Sequence, residues 1–150
     1  MDNIDAKTCF DDAFTRMAHN IGMLRAYLIV MSIRCDRAKK ALITLNDIES
    51  ALDMLNDTMY AYWRNDTMQR VEEYMRDDIA KMDKQLISVT VQVDATFDAA
   101  IDNVINEQEV LQSDVMLFVA LRGAKDALKD CAGCMNTYHR MYDDMFDFNK

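Results

Sequence analysis

The stretch Phe10–Leu45, FDDAFTRMAHNIGMLRAYLIVMSIRCDRAKKALITL, decides the fold. Alternate steps of four and three residues meet Phe10, Phe14, Met17, Ile21, Leu24, Leu28, Met31, Cys35, Ala38, Leu42 and Leu45, with no charged or amide side chain among them. That spacing is the heptad repeat of a helix that buries one narrow stripe against other helices. From Leu24 to Ile33 the chain is apolar on nearly every side, interrupted only by Arg25 and Ser32, which predicts neighbours on more than one face. Asp12 with Arg16, and Asp36 with Lys40, lie four residues apart with the acid first, the favourable order on a solvated helix face.

Beyond Leu45 the stripe changes phase. The next seam, Ile48, Leu52, Leu55, Met59 and Tyr62, begins three residues on where four are due. Such a step either over-winds a coiled coil or marks a turn. Asn46 with Glu49 forms a capping pair there, so a turn is expected at Asn46. Three similar pairs, Thr8 with Asp11, Asp66 with Gln69 and Asn106 with Glu109, divide the rest. The helices predicted are about 9–44, 47–64, 67–104 and 107–147, with junctions that are turns or kinks because none holds glycine or proline. Asn56-Asp57-Thr58-Met59 recurs as Asn65-Asp66-Thr67-Met68, and the second copy is expected to be the turn.

The third segment carries Met68, Val71, Met75, Ile79, Met82, Leu86, Val89 and Val93 at helical spacing, with Glu72–Arg76 and Asp77–Lys81 as surface pairs. Ile87 to Val93 alternates like a strand, but no second alternating run exists to pair with it, so it is read as helix. The fourth segment holds a clean seam, Leu117, Leu121, Ala124, Leu128, Cys131, Met135, Tyr138, Tyr142 and Met145. Beside it runs a small-residue line, Ala120, Ala124, Ala127, Cys131 and Cys134, which admits a partner helix closely. The acidic, aromatic tail from Asp143 to Asp147 is expected to fray.

Composition agrees with helices and short connections. The 150 residues are 51% hydrophobic, with no proline and three glycines. Turn-rich sheet proteins need more of both. The fold class expected is all-α: one domain over 1–150, an antiparallel bundle of three to four long helices with coiled-coil-like packing. A net charge of -9, from 26 acidic and 17 basic residues, disfavours a nucleic-acid partner. The run Ala26 to Met31 is too short to span a bilayer, and the acidic start is unlike a signal peptide. Four cysteines then read as reduced thiols. The location expected is the cytosol, or a particle assembled there.

Chemical motifs are scarce. Phosphate-cradling glycine loops, GxSxG, HExxH and a calcium loop are all missing. His19 and His139 follow Arg16 and Asn136 at three residues, not the glutamates of a di-metal bundle. Cys131-Ala132-Gly133-Cys134 resembles a redox pair or half a zinc site. His139, however, lies about 80° around the helix from Cys131. Both thiols are read as small apolar residues of the close-packed line. No cofactor, metal or small-molecule substrate is expected, and no catalysis.

Three features suggest contact with proteins. The small-residue line is one. The aromatic group Tyr60, Tyr62 and Trp63 is another, either capping the bundle or forming a hot spot. The third is the basic patch Arg34, Arg37, Lys39 and Lys40, which faces either the chain's own acids or those of another copy. The function expected is that of a non-catalytic helical bundle, a structural or assembly subunit that self-associates or joins a larger complex. The alternative is a binding module or inhibitor that docks one protein in a Met-rich groove, since 13 methionines are present.

Overall fold

The computed structural model describes residues 3–64, 70–106 and 112–146. They form four helices: α1 (Asn3–Ser32), α2 (Asp36–Trp63), α3 (Val71–Asn106) and α4 (Gln112–Phe146). There is no strand among the described residues. The helices make a ring in which α1 packs on α2 and α4, and α3 packs on α2 and α4, while among the described residues the backbones of the diagonal pairs do not come close. Each helix runs antiparallel to its neighbours. Phe10 of α1 meets Trp63 of α2 and Tyr138 of α4, and Phe97 of α3 meets Phe118 of α4. This is an all-α four-helix bundle.

The seams build one contiguous core. Phe10, Met17, Ile21, Leu24, Leu28 and Met31 of α1 are buried, as are Val71, Met75, Ile79, Met82, Leu86, Val89 and Val93 of α3. The strand-like passage is helix, with Val89 and Val93 inside and Ile87 and Val91 outside. The α4 seam is buried from Leu121 to Tyr138 and half-buried at Leu117, Tyr142 and Met145. Small side chains line two helices: Ala38, Ala41 and Ala51 on α2, and the Ala120-to-Cys134 line on α4. Each of these helices belongs to one of the two most closely packed pairs, α2–α3 and α1–α4. Short side chains let helix axes approach.

The first turn is not at Asn46. It lies at 33–35, and Asn46 sits within α2. Ile33 N–H donates to the Val30 carbonyl at 3.3 Å and Arg34 N–H to that of Met31 at 3.2 Å, tightening the last turn of α1. Cys35 is then extended, at φ -141° and ψ 119°, and begins α2 without a side-chain cap. Two features hid this turn. Cysteine is not a capping residue by type. Leu42 also looked like the seam member, whereas Ala41 is fully buried and Leu42 only half-buried. With Ala41 in the seam, the double three-residue step moves from Leu45 to Ala38, just past the real turn.

Other expectations are corrected locally. Thr8 and Asp11 lie inside α1, which starts at Asn3, and so mark no helix start. Tyr62 is exposed, and Trp63 takes its place against the core. Asp36 pairs with Lys39 at 3.4 Å, not Lys40, and Asp77 with Arg76 at 3.7 Å, not Lys81. Asp12–Arg16 and Glu72–Arg76 form as expected, at 3.0 and 3.5 Å. The Asp66–Gln69 pair, Met68, Glu109 and Asp147 lie outside the described residues, and α3 runs to Asn106 itself.

Candidate functional site

The small-residue line is spent inside the bundle. Ala120, Ala124, Ala127, Cys131 and Cys134 are all buried, and the helix they admit is the chain's own α1. Gly123 beside them is a true close approach: a Cβ there would lie 2.3 Å from the Tyr27 ring. Burial pushes the Cys131 thiol up to about 12, with Cys134 and Asp130 adding to the rise. Burial also raises Cys134, whose sulfur accepts from Asn20 Nδ2 at 3.9 Å. Both are therefore protonated near neutral pH and unsuited to nucleophilic attack. No group of three or more metal-ligating side chains gathers among the described residues. His139 is instead 2.5 Å from Asp83 of α3.

The aromatic group closes one end of the bundle. Trp63 sets its ring edge-on to Phe10 at 5.3 Å, and Tyr60 stands edge-on to Trp63 at 6.2 Å. The Tyr60 hydroxyl donates to Asp11 Oδ1 at 2.7 Å, and that bond raises its pKa. Tyr62 is more than a third exposed. Beneath them Tyr138 is fully buried, and its hydroxyl has no hydrogen-bond partner. The basic side chains Arg34, Arg37, Lys39 and Lys40 sit at the opposite end, where α1 turns into α2, and all are exposed.

The outer side of α1 divides in two along its length. Its first half is polar: Asp12, Thr15, Arg16 and His19 are exposed. Between this half and α4 runs a groove of about 800 Å³, lined by Asp12, Arg16 and His19 and by Lys129, Asp130 and Arg140. Its charges are mixed, and Arg16 is held by Asp12.

The second half is apolar inside and out. Leu24, Leu28 and Met31 point into the core. Gly22, Ala26 and Ile29 fall within about 60° of arc on nearly the opposite side of the helix, and Ile33 follows them in the turn. All four are exposed, Ile29 by 52% and Ile33 by 79%. Met23 and Val30 flank them, and across a small cleft that Arg34 also lines lie Met116 and Leu117 of α4, with Val115 and Val119 nearby in sequence and exposed. Arg25, the one charge between Met17 and Ile33 outside His19, is drawn sideways: Nη1 donates to Asn46 Oδ1 at 3.0 Å and Nη2 pairs with Glu49. Asn46 and Glu49, read as a helix cap, thus keep charge away from this face.

Gly22 has no role in the chain's own packing. A Cβ there would meet nothing within 4 Å. A glycine inside a helix costs about 0.5–1 kcal/mol relative to alanine. The sequence hinted at this face through the all-round apolar passage, but the direction of each side depended on where α2 and α4 lie.

No protein-family model matches the chain, and neither a curated protein nor a solved structure matches it. Among the described residues, no helix is long and apolar enough to cross a membrane.

Proposed function

We propose that this chain is a non-catalytic, cytosolic helical-bundle protein that acts through protein–protein contact, as a structural or assembly subunit. The observation that carries the reading is the uncharged outer face of α1 from Gly22 to Ile33, with Met116 and Val119 alongside. Contiguous exposed apolar surface bordered by polar surface marks a contact site. The inner seam is already satisfied by the bundle, so the fold itself does not require this second face to be apolar.

A second reading is a binding module that docks one protein through methionines. Met17, Met31, Met59, Met75, Met82, Met135 and Met141 are buried in the core, while Met23 and Met116 at the edge of the face, and Met54 on α2, are exposed and support it. Native mass measurement of the protein taken from its source tests both. A mass above that of the single chain is expected. A strictly monomeric species with no companion protein overturns the contact function.

A further inference from the structure

We propose that the groove between the first half of α1 and the second half of α4 binds a short linear phosphate chain, such as a triphosphate. The site is separate from the contact function proposed above and does not depend on it. Four basic side chains border the groove: Arg16 and His19 from α1, Lys129 and Arg140 from α4. Lys129 and Arg140 stand about 16 Å apart along α4 and nearly on one line. Asn20 meets Cys134 across the antiparallel pair, so His19 and Arg16 fall between those two ends. The bases therefore form a row. Two acids share the groove. Asp12 is occupied by Arg16, at 3.0 Å, and Asp130 follows Lys129 in sequence. His19, Lys129 and Arg140 are exposed, and none has a carboxylate partner within the groove. The whole chain carries a net charge of -9, so these unpaired cations gathered in one concave place are a local reversal of sign.

The floor of the groove supplies a second observation. Gly133 lies on α4 between Lys129 and Arg140, and a Cβ there would meet nothing within 4 Å. Glycine inside a helix costs stability relative to alanine. Gly123 answers that cost by admitting the Tyr27 ring, whereas the bundle's own packing makes no use of Gly133. Its missing side chain lets a ligand descend to the helix backbone in the middle of the row. Thr15, Asn20 and Thr137 add hydroxyl and amide donors to the walls. Among the described residues no Phe, Tyr or Trp lines the groove, so a nucleobase has no such ring to stack on. The bordering helices satisfy their backbone internally and offer no edge to an extended peptide. What the groove offers is charge and polar donors in a row, and a chain of phosphates uses both.

Calorimetric titration of the full chain with inorganic tripolyphosphate at physiological salt is the test. Binding at one site is expected, with a dissociation constant that rises at least about tenfold in Lys129→Gln/Arg140→Gln. Gly133→Leu, which fills the floor with a good helix former, should weaken binding as much while melting holds or rises. Asp130→Asn should tighten it. Arg37→Gln/Lys40→Gln, at the other end of the bundle, removes the same charge and should leave the constant unchanged. ATP, titrated like tripolyphosphate without magnesium, should bind about equally, since only its phosphates are held. Much tighter binding of ATP overturns recognition of the phosphate chain alone. A hexaglutamate peptide that binds where tripolyphosphate does not overturns the phosphate assignment in favour of an acidic peptide. No binding of tripolyphosphate, or an equal loss in the Arg37/Lys40 variant, overturns the site.

Discussion

From Phe10 to Asn20 the outer side of α1 carries Asp12, Thr15, Arg16 and His19, while from Gly22 to Ile33 it carries Gly22, Ala26, Ile29 and Ile33. Inward, both halves present one unbroken seam to the same core. The half with the charged exterior also has polar groups beneath it. Asn20 reaches Cys134, and the Tyr138 hydroxyl is enclosed. The half with the apolar exterior is apolar apart from Arg25, drawn aside to Asn46 and Glu49, and Ser32. The seam needs no help from the second face to hold the fold, and the contact function proposed above rests on that difference between the halves.

The largest effect should separate the two sides of the apolar half. Leu28→Ala, inside, should lose about 2–5 kcal/mol. Its neighbour Ile29→Ala, outside, should stay within about 0.5 kcal/mol. Urea unfolding of both variants checks this, and equal losses would mean that the outer face serves the monomer fold.

The two glycines come next. Gly123→Ala drives a methyl group into the Tyr27 ring and should cost about 1–3 kcal/mol. Gly22→Ala meets nothing and should stabilise the monomer by about 0.5–1 kcal/mol. Opposite shifts in melting temperature are expected.

In the polar half, Tyr138→Phe removes a hydroxyl that has no partner, and should stabilise the protein by about 1 kcal/mol in the same denaturation assay.

The smallest effect is one of pH. Asp78 of α3 is buried, and its pKa is raised above 3.8 by burial and then by Asp77, against a lowering by Lys81. A carboxyl whose folded pKa is raised favours folding while protonated, and that support is lost as pH rises through its folded value. Asp78→Asn should therefore be the more stable chain at neutral pH, and its advantage should shrink as pH falls through the folded pKa toward 3.8. Denaturation midpoints at neutral and acid pH check the sign.

The bundle was legible because each seam is long and free of charge, and heptad spacing has few other uses. The first turn was not. Capping rules pointed to Asn46, whose amide oxygen instead receives Arg25, and the actual turn starts α2 at Cys35 with no cap from its side chain. Size misled as well: Leu42 outweighs Ala41 in a pattern, but Ala41 is the residue at the centre of the packing. The small-residue line was read as a place where a partner helix comes close, and the helix packed on it here is the chain's own α1. The outer stripe stayed hidden for a different reason. Where a helix is greasy all round, sequence cannot say which side its neighbours leave uncovered.

The pairing of α1 with α4 has a consequence for synthesis. Helix α1 shares one of its most extensive contacts with α4, so Asn20 and Tyr27 meet Cys134 and Gly123 only after Gln112 to Phe146 have been made. Until then three helices keep an open flank, and the ring closes only once α4 can pack on α1 and α3.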